Sequence, residues 1–237
     1  FNNQGTLAVS NSLISGNTAA GGGGIYSRGI LTVNSSTFSG NSTISQNGGA
    51  VWNYGGSANL SILNSTISSN TATTSSGGGI GNTGGTVTLS NSTLFANQAT
   101  GGGGIFNNAN GTFTIFNSTI SNNSATTGGG IHIGSGTLNI SNTIIANSTS
   151  GGDVYSAGSI GTNTNNLVED GSLPGTSELT GDPNLGPLQN NGGTTFTMAL
   201  GVGSIAIGAG NSSVINSSPV NGLDQRGVTR STTAPSI

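Results

Sequence analysis

Residues that could carry acid–base or metal chemistry are rare in this sequence and lie mostly towards its C-terminal end. The acidic residues all follow residue 148 and are Asp153, Glu169, Asp170, Glu178, Asp182 and Asp224. Enzymes that cleave polysaccharides need carboxyl groups for general acid and base steps or for binding Ca²⁺. Residues 1–148 contain none, so such an active site would have to lie within residues 149–237.

The individual candidates have simpler structural explanations. Asp182 precedes Pro183, as is typical of turns, and Asp224 can form a local ion pair with Arg226 or Arg230. His132 is the only histidine and has no carboxylate near it in sequence, so we interpret it as an ordinary exposed or hydrogen-bonded residue. We therefore predict no catalytic residue, no cofactor site and no metal site, and we expect that the protein is not an enzyme.

The charge of the chain argues against nucleic acid as a partner, and the length of its apolar runs argues against a membrane span. There is no lysine, the formal net charge is −3, and the arginines are Arg28, Arg226 and Arg230. Such a chain has no basic surface with which to neutralise a run of phosphates, so no nucleic acid partner is expected. No apolar run reaches the length of a membrane span, so no direct span is expected either.

The composition nevertheless predicts a folded chain. Charged residues make up 4% of the sequence and hydrophobic residues 31%, with 44 glycines. Disordered chains usually combine low hydrophobicity with high net charge, whereas here the apolar residues recur periodically. The period is about 24 to 29 residues, which is typical of a solenoid. Six segments align without a gap, starting at Gly5, Gly29, Ala58, Gly85, Gly111 and Gly136.

Each segment has the spacing of strands. Two apolar residues stand two apart, as in Leu7 and Val9 or Val87 and Leu89, and a third apolar position follows the next turn, as in Ile14. A further strand is indicated by GG[GA][IV], which ends at Ile25, Val51, Ile80, Ile105 and Ile131. In an antiparallel meander, equivalent positions of successive repeats would not stack on one another, so nothing would favour the same residue type at each of them. We therefore predict an all-β fold, a right-handed parallel β-helix with three-sided coils.

Two columns of asparagine support the stacking of coils. The first column is Asn11, Asn64, Asn91, Asn117 and Asn142, with Ser35 in place of one Asn; the second is Asn17, Asn41, Asn70, Asn97 and Asn123, with Ser148 in place of one Asn. A carboxamide both donates and accepts, so a stacked row can bond along the axis, and Asn tolerates the left-handed conformation of turns. We predict that both columns are Asn ladders at turns.

The repeat loses its signature after Ser148. We expect regular coils in residues 1–148, and irregular coils finishing in a cap in residues 149–237. At the other end, Phe1-Asn2-Asn3 matches Phe106-Asn107-Asn108, so the first coil is incomplete and is expected to be covered by more coils or by a neighbouring subunit. End-to-end stacking into a filament is a hypothesis that follows from this open end.

The motifs resemble those of two groups of bacterial proteins. The paired signals GG[GA][IV] and [FIL]xxN resemble the repeats of polymorphic outer membrane proteins. The tail resembles secreted choice-of-anchor (Q-type) β-helix proteins, through the segments Asp182–Leu188, Asn191–Thr194 and Asp224–Gly227. That family typically has GSPAIDAG where this chain has Gly203-Ser204-Ile205-Ala206-Ile207-Gly208-Ala209-Gly210. The resemblance implies export and retention at the cell surface.

The expected function is accordingly a non-catalytic, extracellular, structural or adhesin-like display role at the cell surface or in the extracellular matrix. Two alternatives remain open. One is ice binding by outward threonines, such as Thr86 with Thr88 and Thr112 with Thr114. The other is a polysaccharide-active enzyme with its active site in the tail. The aromatic residues after GG[GA][IV], Tyr26, Trp52 and Phe106, could stack on sugars or simply pack.

Overall fold

The chain folds as a parallel β-helix, as the sequence predicts. The computed structural model describes residues 1–173, 175, 178–216 and 218–237, with Glu178 described by its backbone alone. Three long parallel sheets, named A, B and C, run along the axis with seven, seven and eight strands, and each coil contributes one strand to each sheet. A short sheet D lies at one corner of the first three coils.

The strand bounds follow. Sheet A contains β1 (Asn2–Asn3), β5 (Ile25–Ser27), β9 (Val51–Tyr54), β13 (Ile80–Thr83), β16 (Ile105–Asn108), β19 (Ile131–Ile133) and β22 (Val154–Ser156). Sheet B contains β2 (Thr6–Ser10), β6 (Ile30–Asn34), β10 (Asn59–Leu63), β14 (Thr86–Ser90), β17 (Thr112–Phe116), β20 (Thr137–Ser141) and β23 (Ser159–Thr164). Sheet C contains β3 (Leu13–Ser15), β7 (Thr37–Ser39), β11 (Thr66–Ser68), β15 (Thr93–Phe95), β18 (Thr119–Ser121), β21 (Ile144–Ala146), β24 (Asn166–Val168) and β25 (Glu178–Leu179). Sheet D contains β4 (Thr18–Ala19), β8 (Ser42–Thr43) and β12 (Thr71–Ala72).

The core is a continuous stack of the apolar columns. In sheet B, Ile62 pairs with Val33 on one side and with Leu89 on the other, and Leu89 pairs with Ile115. All four side chains are buried, as are Ile67 and its neighbours in sheet C. Alternation along each strand sends the residues between them outward. The predicted rows of like residues are therefore confirmed.

Glycine at the corner before sheet A is required by close packing of the coils. A Cβ at Gly78 would lie 2.4 Å from the carbonyl oxygen of Gln98 and 2.5 Å from that of Gly103. Both contacts are with backbone of the next coil, which has no side-chain freedom to yield. The GG[GA][IV] signal thus marks the position where successive coils touch without side chains between them.

Beyond Ser148 the helix continues for one more coil and the chain then turns back. The strands β22, β23 and β24 extend the three sheets in parallel. Residues 185–237, here called the strap, contain the antiparallel pair β26 (Leu185–Gln189) and β27 (Thr197–Leu200) and the helix α1 (Ser212–Ile215). The strap lies along the outer side of sheet C. The terminal cap that the sequence leads us to expect stays a prediction.

The reason for this placement is apolar surface on sheet C. In the last coils the outward positions hold Ile144, Ala146 and Leu167, which are buried in a cluster with Ala206 and Ile237 of the strap. Earlier coils carry mainly Thr or Ser at the corresponding positions, with Leu13 and Phe95 as exceptions. Burying these apolar side chains favours a strap that folds back over the sheet rather than one that continues the helix.

Candidate functional site

The second asparagine column forms an internal ladder. The Nδ2 of Asn17 donates to the Oδ1 of Asn41, and the same bond repeats from Asn41 to Asn70, from Asn70 to Asn97 and from Asn97 to Asn123, at 2.9–3.0 Å. Each Oδ1 also accepts from the backbone N–H of the preceding Asn, as Asn97 does from Asn70. From Asn41 onward these side chains are fully buried. The prediction of a hydrogen-bonded row is confirmed for this column.

The first column is different in character. Asn11, Ser35, Asn64, Asn91, Asn117 and Asn142 all have positive φ, between 44° and 53°. Within the described residues one bond links two members, from Asn142 Nδ2 to Asn117 Oδ1 at 3.1 Å. These residues form the turn between sheets B and C, and the left-handed conformation explains their type. Among the described hydrogen bonds, the ladder that the sequence predicts for this column therefore extends only from Asn142 to Asn117.

Two further polar rows were not anticipated. Asn53 donates to Asn82 at 2.9 Å and Asn82 to Asn107 at 2.7 Å, all three being buried beneath sheet A. A row of hydroxyls also accepts from backbone N–H groups of the preceding coil, through Ser36, Ser65, Ser92 and Ser118. The sequence contained a signal for the row of Asn53, Asn82 and Asn107. These asparagines stand two residues after the inward Val51, Ile80 and Ile105, so strand alternation turns them inward as well.

The strap is fastened to the coils by polar bonds centred on Gln225. Its Nε2 donates to the carbonyl oxygen of Ser65 at 3.2 Å, and its Oε1 accepts from the Thr93 hydroxyl at 2.8 Å. Thr195 donates to the carbonyl oxygen of Asn64 at 2.9 Å, and Asn91 donates to that of Leu223 at 2.9 Å. The first asparagine column therefore helps to hold the strap in place.

Two carboxylates of the tail bind each other's backbone. The N–H of Asp153 donates to Asp170 Oδ2 at 2.8 Å, and the N–H of Asp170 donates to Asp153 Oδ2 at 3.2 Å. Burial raises the pKa of Asp153, and a hydrogen bond from Ser148 opposes this rise. Burial also acts to raise the pKa of Asp170, but hydrogen bonds from Ser172 and from the Asp153 backbone outweigh it and hold that pKa below its usual value. Asp153 also accepts from the backbone N–H of Ser148 at 3.3 Å, and Ser148 is the residue that replaces asparagine in the second column.

The other titratable candidates also have local partners. Asp224 forms a salt bridge with Arg226 at 2.7 Å, and Asp182 accepts from the N–H of Asn184 in a turn. His132 Nδ1 lies 2.9 Å from the Thr127 hydroxyl, and burial lowers the pKa of its ring. In the part of the chain that the structure describes, no group of three or more His, Asp or Glu is arranged to hold a metal ion.

Aromatic residues line the outer face of sheet A. Tyr26, Trp52, Phe106, His132 and Tyr155 occupy one row, which Gly81 interrupts, and Tyr54 lies beside Trp52. The ring centroids of Tyr26 and Trp52 are 5.0 Å apart, and those of Trp52 and Tyr54 are 4.9 Å apart. Phe106, His132 and Tyr155 form a second group, with centroids 5.3 and 4.7 Å apart. Sheet A thus offers an aromatic surface rather than isolated rings.

The outer face of sheet B is hydroxyl-rich. Thr86, Thr112 and Thr137 are paired in register, and Thr88 pairs with Thr114. Thr88 and Thr114 are followed in their row by Asn139, and preceded by Ser61 and Thr32. Threonine therefore occupies both of these outward positions in two coils, those of β14 and β17.

Comparisons with known proteins identify no relative. No family model, no curated protein and no solved structure matches the chain. The resemblance to choice-of-anchor proteins and to polymorphic outer membrane protein repeats stays a prediction. Within the described ranges, no helix combines the length and the apolar character needed to cross a bilayer.

Proposed function

We propose that the protein is a non-catalytic display scaffold of the cell exterior, with a structural or adhesin-like role. The observation that carries this proposal is the continuous internal ladder from Asn17 to Asn123, in which each side chain bonds the next coil. Buried, fully bonded rows hold neighbouring coils in one register. A rigid rod of this kind is suited to holding its outer faces at a fixed spacing, which display requires and a cleavage reaction does not.

The positions of the acidic residues also favour a scaffold. Asp153 and Asp170 cap each other's backbone, and Asp224 is neutralised by Arg226. An acid–base pair for glycoside cleavage would instead direct two carboxyl groups at one substrate position. The surface-anchored role comes from the motif resemblance of the tail, and end-to-end stacking into filaments stays a prediction.

Two measurements test this proposal. The purified chain is incubated with acidic and neutral polysaccharides, and new reducing ends and unsaturated products are measured; we expect none above the buffer control. Intact cells that produce the protein are treated with protease and probed with an antibody, and we expect loss of the signal without lysis. Product formation that disappears in Asp153→Asn or Asp182→Asn would overturn the non-catalytic role.

Ice binding is the second candidate, because Thr86, Thr112 and Thr137 form one aligned row. Thermal hysteresis of the purified chain measures it directly. A freezing-point depression that is lost in a Thr88→Tyr and Thr114→Tyr double variant would favour ice binding over display. No hysteresis at high protein concentration would exclude it.

A further inference from the structure

Side-chain types that are rare in this protein are concentrated on the outer face of sheet A. The chain has three tyrosines, one tryptophan and one histidine, and all five lie there. Aromatic residues are only 5% of the sequence. The outer face of sheet B carries mainly Thr, Ser and Asn in the same coils. A solvent-facing strand of this helix can therefore form without aromatic side chains. The segregation points to a role for this one face.

The rings at the N-terminal end of the face are held in position. Trp52 Nε1 donates to the Thr83 hydroxyl at 3.0 Å, and the rings of Tyr26, Trp52 and Tyr54 contact one another. All three rings are half-buried, so each keeps an exposed part while its base is packed. A surface that is already ordered loses little conformational entropy when it binds a ligand.

A single cation accompanies these rings. The Arg28 guanidinium lies 5.0 Å from the centroid of Tyr54 and 5.6 Å from that of Tyr26, and its side chain is exposed. Residues 1–148 contain no acidic residue, and the described salt bridge of the chain joins Asp224 to Arg226. The Arg28 guanidinium is thus oriented by stacking on aromatic rings, and the coil body contains no carboxylate that could pair with it.

We infer that Tyr26, Arg28, Trp52 and Tyr54, here called the aromatic cluster, bind a linear acidic polysaccharide of uronic acids. The C–H faces of sugar rings stack on aromatic faces, and a uronate carboxylate fits the guanidinium fork in a bidentate pair. Successive strands are about 4.8 Å apart, close to the advance of an extended glycan per sugar, so neighbouring coils can contact neighbouring sugars.

This inference deepens the proposed display function, on which it rests for the expectation that the glycan is held and not cleaved. The test uses the full chain with polygalacturonate and alginate, with carboxyl-reduced alginate as the neutral probe, and measures affinity by titration calorimetry. We expect both polyuronates to bind. Arg28→Gln, which changes an exposed side chain, should weaken binding about tenfold, a loss typical of one charge-assisted pair.

Further variants separate the site from the rest of the face. Tyr54→Ala should weaken binding of polyuronates, whereas Tyr155→Ala, an aromatic residue of the second group without a cation, should leave it within about twofold. Circular dichroism and the unfolding midpoint of each variant show whether it folds, and Tyr54→Leu, which also lacks the aromatic ring but keeps an apolar side chain, replaces Tyr54→Ala if the latter does not. Raised salt should weaken binding of alginate more than of its carboxyl-reduced form.

The inference is overturned if neither polyuronate binds, or if Arg28→Gln binds them as tightly as the parent chain. These outcomes leave the display function standing, because a scaffold need not bind this ligand. Binding accompanied by cleavage of the glycan would have the reverse meaning: the site would be supported and the non-catalytic role rejected.

Discussion

Asn70 and Asn97, 27 residues apart in sequence, are joined twice: the Nδ2 of Asn70 donates to the Oδ1 of Asn97 at 3.0 Å, and so does the backbone N–H of Asn70. The same carboxamide of Asn70 accepts both donors of Asn41 in the coil before it. A single buried side chain thus links two neighbouring coils by hydrogen bonds. The rigidity that the scaffold proposal needs depends on such residues.

Asn70→Ala should lower the free energy of unfolding by about 2–5 kcal/mol, because buried donors of Asn41 lose their acceptor. Urea denaturation followed by circular dichroism measures the change. The matched control is Ser69→Gly in the same coil, at a φ of 56° that glycine adopts freely, for which we expect a change within about 0.5 kcal/mol. Equal effects of the two variants would show that the ladder contributes no more than a turn residue.

Gly78→Ala should also destabilise the helix, by about 1–3 kcal/mol or more, because its Cβ would meet backbone oxygens of the next coil at 2.4 and 2.5 Å. Gly56→Ala is the control, since the nearest atom to its Cβ is 4.0 Å away. Thermal unfolding of both variants gives the comparison. A Gly78→Ala protein as stable as Gly56→Ala would mean that the corner relaxes without cost.

Gln225→Ala should release the strap from sheet C while leaving the coils folded, since Gln225 contacts Ser65 and Thr93 across the interface. Trypsin is a suitable probe, because the sequence contains no lysine and its arginines are Arg28 in the coils and Arg226 and Arg230 in the strap. We expect cleavage in the strap to accelerate about tenfold, as for a loss of one to two hydrogen bonds, with cleavage at Arg28 unchanged.

Gln189→Ala is the control for that experiment, since the Gln189 side chain bonds only the nearby Asn191 among the described contacts. It should leave all tryptic rates unchanged. If Gln225→Ala and Gln189→Ala are cleaved at the same rate, the strap is held by its apolar contacts with Ile144 and Leu167 and not by the glutamine.

The reciprocal pair Asp153 and Asp170 predicts opposite pH dependences. A carboxyl with a raised folded pKa contributes stability that is present below its ordinary value of 3.8 and is lost as the pH rises through the folded pKa; this is the case of Asp153. Asp170 has a lowered pKa, so its contribution is present above 3.8 and is lost as the pH falls through the folded value. Each variant removes one of these contributions, so Asp153→Asn and Asp170→Asn should change the slope of the unfolding free energy against pH in opposite directions.

The measurement is urea denaturation between about pH 2.5 and pH 6, a range that brackets ordinary carboxyl groups. Relative to the parent chain, Asp153→Asn should gain stability as the pH rises above 3.8. Asp170→Asn should be relatively more stable as the pH falls below 3.8. Parallel curves for the parent and both variants would contradict the assigned directions.

The coil and its stacking follow from the repeat pattern of the sequence. Strand spacing within each repeat and the recurrence of Leu31, Leu60 and Val87 at one position suffice to place these side chains inside, because a parallel stack is the arrangement that brings like residues together. The ladder of Asn70 and Asn97 could be predicted for the same reason. The aromatic residues Tyr26 and Trp52 were visible as members of one column, though the stacking of Arg28 on Tyr26 and Tyr54 was not.

The bonding partners of the asparagines and the position of the tail could not be read from the sequence and are seen in the folded chain. Asn64 and Asn70 are equally regular in sequence, but Asn70 bonds the carboxamide of Asn97, whereas the described hydrogen bonds join Asn64 to no other member of its column. Sequence alone shows the residue type and not the direction of the side chain. The Asn53–Asn82 bond and the strap depend on contacts between residues far apart, such as Thr93 with Gln225. A repeat constrains such contacts within the coils, because each coil repeats its neighbour, whereas the strap has no period and its position depends on the apolar surface it covers.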